Sequence, residues 1–154
     1  MQQALQQKVQ KAASAIAQEC FAMRVRYLNR SLTSIYDEVF RPLSITASQV
    51  NMLVAIITQQ TLSPSELGGI LNIEKSTLSR NLDRMRKAGW VEIDSSQPGR
   101  SHTVQASEKG QALLLNILPL WQKAQETTCT LLGSERSKAI REVADHARSE
   151  IMKT

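Results

Sequence analysis

Five cations crowd the stretch EKSTLSRNLDRMRKAG at 74–89: Lys75, Arg80, Arg84, Arg86 and Lys87. Against them stand Glu74 at its start and one internal acid, Asp83. Ser76, Thr77 and Ser79 add hydroxyl donors between the charges. Such a set performs no bond-breaking chemistry, but it suits the grip of a polyanion. Lys and Arg neutralise phosphates, and Arg or hydroxyl groups hydrogen-bond base edges. Leu78, Leu82 and Met85 recur at three- and four-residue spacing, so the stretch reads as a helix with one apolar stripe and one donor-rich face. A charge run alone is ordinarily a solvated helix face, so its neighbours must decide.

Other chemistries find little support. His102 and His146 are the only histidines, which leaves a His-based triad without partners, and no phosphate loop, nucleophile elbow or metal constellation is visible. The chain reads as a non-enzyme without a cofactor. Cys20 and Cys129 are too far apart to form a metal pair or disulfide framework by spacing, and small core thiols are the default for both. The formal charge of +5 over 154 residues permits polyanion binding without proving it. No run of eighteen apolar residues occurs, and MQQALQQKVQKAASAIAQ lacks a signal peptide's apolar block, so the expectation is a cytoplasmic protein with no membrane span.

The elements that must position the basic helix are punctuated clearly. Leu5, Val9, Ala12 and Ile16, then Leu28, Leu32, Ile35, Tyr36 and Val39, predict one long helix or two nearly continuous ones from about Gln3 to Phe40, stopped by Pro42. TASQ at 46–49 and SPSE at 63–66 are capping boxes, the second with Pro64 at the first helical position. The second opens a short helix ending near Asn72, whose Gly68 and Gly69 suggest close passage of another helix. Gly89 is placed to end the basic helix. WVEIDS and SHTVQA flank SQPGR, which predicts a β-hairpin over Trp90 to Ala106. Ser107 is a good N-cap for a helix with the stripe Leu113, Leu114, Ile117, Leu118, Trp121 and Ala124, kinked at Pro119. Gly133 separates it from a last helix reaching about Met152. Trp90, Trp121, Met23, Met52, Met85 and Met152 are expected in the core.

Helix, short helix, turn, helix and hairpin in that order make a winged helix-turn-helix. SPSELGGILNIEKSTLSRNLDRMRKAGWVE closely resembles the helix-turn-helix of the MarR (multiple antibiotic resistance regulator) family. YDEVFRPLSITASQVNMLVAI and ASEKGQALL are similar to the segments on either side, and the likeness runs from about Arg30 to Gly133. The resemblance implies a mainly α fold with a small β-hairpin. In it, 1–42 and 107–154 form a helical dimerisation region and 43–106 a winged helix-turn-helix DNA-binding domain. It further implies a homodimer on double-stranded, pseudo-palindromic operator DNA, usually a repressor, with a small-molecule effector in a cleft. Pro98 stands where the family's wing commonly carries an acid two residues before its tip arginine, here Arg100.

The residues expected at DNA are therefore Lys75, Ser76, Thr77, Ser79, Arg80 and Arg84 on the helix, with Arg100 and His102 on the hairpin. Ser76, Thr77, Ser79 and Arg80 sit toward the end that enters the groove, and Arg84 is assigned to phosphate. Arg100 can reach the minor groove or phosphates, and His102 is either an exposed strand residue or a DNA contact. Arg86 and Lys87 offset the helix dipole, with Asp83 paired to Lys87 at i+4 spacing. Two rivals stay open. ECFA at 19–22 resembles the reactive-cysteine segment of the family's organic-hydroperoxide sensors, some of which pair that thiol with a second cysteine placed roughly as Cys129 is. That branch's two tyrosines are replaced here by Ser34 and Ile45. The other rival is a winged helix that docks proteins rather than DNA.

Overall fold

The computed structural model describes residues 2–94 and 102–151. The chain divides into two compact units, Met1–Ser34 and Ile35–Thr154. The first holds α1 (Gln2–Glu19) and most of α2 (Phe21–Phe40). Cys20 interrupts the helix, although Cys20 N still donates to Ile16 O at 2.9 Å and Arg24 N to Cys20 O at 3.2 Å. The two-helix alternative of the sequence reading is the one adopted. Its apolar periodicity does not translate into burial within the chain, since no residue of α1 is buried.

The second unit contains the core. The end of α2 passes into a 3-10 turn, Arg41–Leu43, at Pro42. Three helices follow: α3 (Ala47–Gln59), α4 (Pro64–Leu71) and α5 (Lys75–Lys87). Both capping boxes form, Thr46 with Gln49 and Ser63 with Glu66, which satisfies otherwise orphaned N–H groups at each helix start. Asp37 Oδ1 accepts from Ala47 N at 2.7 Å and adds a second cap to α3. Asn72 ends α4 with φ 48°, a left-handed turn that asparagine tolerates. Gly68 meets the expectation of close passage, because a Cβ there would lie 3.3 Å from Leu78 Cδ2; Gly69 faces open space.

β1 (Val91–Asp94) and β2 (Thr103–Ala106) pair antiparallel with Val91 opposite Ala106. A bridge from Leu62 to Val104 ties this hairpin to the segment between α3 and α4. The hairpin tip at 95–101, with Pro98 and Arg100, lies outside the described residues. Phe40, Met52, Leu53, Ile56, Leu67, Met85, Val91, Val104 and Ile117 are fully buried in one cluster that joins the helix-turn-helix to the hairpin. Each such side chain contributes on the order of 1.5–3 kcal/mol by leaving water.

α6 (Glu108–Leu132) and α7 (Ser134–Ile151) complete the chain, separated at Gly133 as expected. α6 runs through Pro119 as a single helix. The carbonyl that Pro119 cannot serve is that of Leu115, on a face where Leu115 is 73% exposed and solvent is at hand. The expected stripe splits: Ile117 and Ala124 are buried, whereas Leu118 and Trp121 are exposed. Trp121 is thus not a core residue, because it flanks the line of Ile117 and Ala124, seven residues apart on the buried face of α6. Trp90 packs against the core half-buried, Met52 and Met85 are fully enclosed, Met23 is half-buried, and Met152 lies outside the described residues.

Candidate nucleic-acid interface

α5 is held by its apolar stripe. Leu78, Leu82 and Met85 are all buried in the main cluster. A helix so anchored must turn its opposite face outward, and on that face Lys75, Ser76, Ser79, Arg80 and Arg84 are exposed, with Thr77 half-buried. Among the described residues no carboxylate pairs with Lys75, Arg80 or Arg84. Asp83 instead holds the late cations, Lys87 at 2.7 Å and Arg86 at 3.1 Å. These two hydrogen bonds, that from Lys87 foremost, keep the Asp83 carboxyl below its ordinary pKa. The i+4 pair read from sequence is present, and Arg86 joins it.

The helix starts without a side-chain cap, since the Glu74 carboxylate makes no hydrogen bond to the first turn. Its leading N–H groups and the positive end of its dipole are therefore open to an anion. At the other end α5 closes in a Schellman turn: Gly89 N donates to Arg86 O and Trp90 N to Met85 O, both at 2.9 Å, with Gly89 at φ 76°. Only glycine adopts that angle without strain.

Two crevices flank α5. One of about 470 Å³ lies between α4 and α5, beside Gly68, Gly69, Asn72 and Lys75. The other, about 290 Å³, lies between α5 and the hairpin, lined by Leu78, Ser79, Leu82, Arg86, Ile93 and His102. His102 is exposed just before β2 and shares this crevice with Ser79, so the structure brings hairpin and helix together there. Arg100 lies outside the described residues. Sequence reasoning did not anticipate the crevices. The glycine pair of α4 was the available signal for the first.

The two cysteines stand in different units. Cys20 sits at the break between α1 and α2, and Cys129 lies four residues before Gly133, whose N–H donates to Cys129 O at 2.8 Å. Both are free and half-buried rather than the sealed core thiols expected by default. Among the described residues no helix is by itself long and apolar enough to cross a membrane, and no cluster of His, Cys, Asp and Glu could hold a metal.

Residues 43–101 match the sequence profile of the MarR family. The chain is 34% identical over 68 residues to the multiple antibiotic resistance protein MarR of Escherichia coli, covering 44% of this chain and 47% of that protein. It is 30% identical over 95 residues to an uncharacterized HTH-type transcriptional regulator of Bacillus cereus, covering 62% and 63%. The matches thus span between about half and just under two thirds of these relatives. Among solved structures, the M. tuberculosis transcriptional regulator MosR in complex with DNA superposes with a TM-score of 0.73 at 29% identity, over 86% of this chain and 96% of that one. A cysteine-to-serine mutant of E. coli MarR complexed with operator DNA gives 0.75 at 22% identity, over 86% and 96%, a likeness of fold.

Proposed function

We propose, from the match of residues 43–101 to the MarR family, that the chain is a member of that family: a sequence-specific regulator of transcription that binds duplex DNA as a homodimer. In this reading it acts as a repressor released by a small molecule. The dimer forms through 1–42 and 107–154, and 43–106 carries DNA binding. α5 enters the major groove and the hairpin lies along the adjoining backbone. Ser76, Thr77, Ser79 and Arg80 address base edges, and Lys75 and Arg84 hold phosphates. His102 and Arg100 extend the contact from the wing.

One observation carries the proposal. The cations on the outward face of α5 are exposed with no carboxylate partner among the described residues, while those at its end are tied to Asp83. A merely solvated helix would pair its charges along its length. The DNA complex of MosR, similar in fold and 29% identical, supports DNA as the partner. The crevice between α5 and the hairpin supports release by a ligand, since an occupant there would press on the two elements assigned to DNA.

Mobility shifts on genomic fragments test the proposal directly. A recovered operator should be pseudo-palindromic, with half-sites about one helical turn apart and affinity falling steeply with salt. Arg80→Ala should weaken operator binding by about 1–3 kcal/mol and binding to random DNA far less. Equal loss on both would reassign Arg80 to phosphate. Capture of proteins but no DNA would favour a protein-docking winged helix.

A thiol-based readout is the second reading, favoured by two free cysteines that are half-buried rather than sealed. Treatment with an organic hydroperoxide followed by an operator-binding measurement decides it. Unchanged affinity would remove Cys20 and Cys129 from the mechanism.

A further inference from the structure

The end of α5 is tied to the start of α6 by a hydrogen-bonded joint. Three consecutive carbonyls leave α5 at its C-terminus, and each accepts a hydrogen bond from the first residues around α6. Lys109 Nζ donates to Ala88 O at 2.7 Å, Ser107 Oγ to Gly89 O at 2.6 Å, and Ser107 N to Trp90 O at 3.1 Å. Ser107 Oγ simultaneously accepts from Gly110 N at 3.0 Å, so one hydroxyl caps α6 and grips the turn after α5. Gly110 is buried, and a Cβ placed on it would lie 2.0 Å from Trp90 O and 3.0 Å from Trp90 C. The backbones therefore meet with no room for a methyl group. Glycine at this third helical position is otherwise a poor choice, since a capping box would put Glu or Gln there.

We propose that Ser107, Lys109 and Gly110 are positioning residues of the DNA interface, fixing the tilt of α5 and the base of the hairpin on the N-terminus of α6. The inference rests on the proposed reading of the chain as a homodimer with α5 as the DNA-contacting helix. The joint closes the chain from Ala88 to Ser107 into a loop, and β1 and β2 lie inside it. Wing and recognition helix thus share one fixed base. α6 is 25 residues long, so it spans about 37 Å at 1.5 Å per residue. Slack of roughly 10° at the joint would displace the far end of such a lever by about 6 Å, close to two base-pair steps of duplex DNA. A dimer that measures the distance between two half-sites needs less slack than that.

Lys109 is exposed, so its removal should leave the fold intact, and Lys109→Met keeps its aliphatic length. Two measurements on the full chain test the proposal. In the free protein, backbone amides of Gly89 and Trp90 should exchange with solvent at least fivefold faster in Lys109→Met, with the Leu82 amide unchanged. On an operator selected from random DNA, the wild type should discriminate against versions with one base pair added or removed between half-sites. Lys109→Met should lose roughly tenfold of that discrimination while keeping its affinity for random DNA, and Lys109→Arg should restore it. Gly110→Ala should produce the same loss more severely wherever it folds. Unchanged exchange and unchanged spacing preference would overturn the proposal. So would equal loss on operator and random DNA with a salt slope lower by about one, which would make Lys109 a phosphate contact. A wild type that binds no DNA would defeat the DNA-binding reading and with it the interface role, and the exchange comparison would then decide whether the joint is rigid.

Discussion

The helix-turn-helix and the first helix carry the same kind of apolar periodicity and meet opposite fates. In α4 and α5, Leu67, Leu78, Leu82 and Met85 all vanish into a core built with α3 and the hairpin. In α1, Leu5 is 62% exposed, Val9 59% and Ile16 62%, and no residue is buried. Periodicity states that a face needs cover; it does not state who provides it. For α4 and α5 the cover lies in the same unit of the same chain. For α1 the proposed cover is a second copy.

The sharpest way to test this contrast is to cut into each face. Leu53→Ala, in the covered core, should cost about 2–5 kcal/mol in denaturant unfolding, since the side chain is wholly enclosed and a cavity would remain. A loss below 1 kcal/mol would mean the core is looser than its burial implies. Replacing Leu5, Val9 and Ile16 together with Ser should leave the Ile35–Thr154 unit folded but weaken self-association roughly a thousandfold or more, because each residue would forfeit about 1.5–3 kcal/mol of apolar burial against a partner. Sedimentation at several concentrations reads this. Unaltered association would leave α1 without the assigned role.

A smaller effect separates the termini of the helices. Ser63→Ala should cost about 1 kcal/mol, because Ser63 Oγ accepts from Glu66 N at 3.3 Å and caps α4. Smaller still is the acid response of the same box. The Ser63 backbone N–H and hydroxyl hold the Glu66 carboxyl below its ordinary pKa of 4.5. A lowered carboxylate pKa stabilises the fold above the ordinary value and ceases to do so as pH falls through the lower folded value. Glu66→Gln should therefore be less stable than wild type near neutrality, with the gap closing below pH 4.5. A gap independent of pH would show that the box acts by shape rather than charge.

The parts of the fold that were legible in sequence are those with local causes. Thr46 with Gln49, Ser63 with Glu66, Ser107 as a cap, Gly89 and Gly133 as stops and Pro42 as a break all act within a few residues of themselves, and all stand where they were read. The burial of Leu78, Leu82 and Met85 was equally readable, because an apolar stripe on a strongly basic helix has only one face to hide. Trp121 failed for the converse reason: it flanks the buried line of Ile117 and Ala124, and no local signal marks how wide a face the core covers. Of the expected interface, the helix residues are exposed as expected except the half-buried Thr77, while their DNA roles stand as proposals.

By itself, then, the sequence determined where the helices begin and end, the break at Cys20 excepted, which face of α5 hides, and that its outward face is rich in donors. Capping, glycine and proline effects and helical period are properties of neighbouring residues, so they survive without knowledge of the fold. Tertiary structure alone decided that Lys109 and Ser107 would grip the turn after α5, that Gly110 would admit Trp90 O where no other residue could, and that His102 and Ser79 would line one crevice. Those contacts join residues about twenty positions apart or more, and their existence depends on how α5, the hairpin and α6 pack together, which no local pattern encodes.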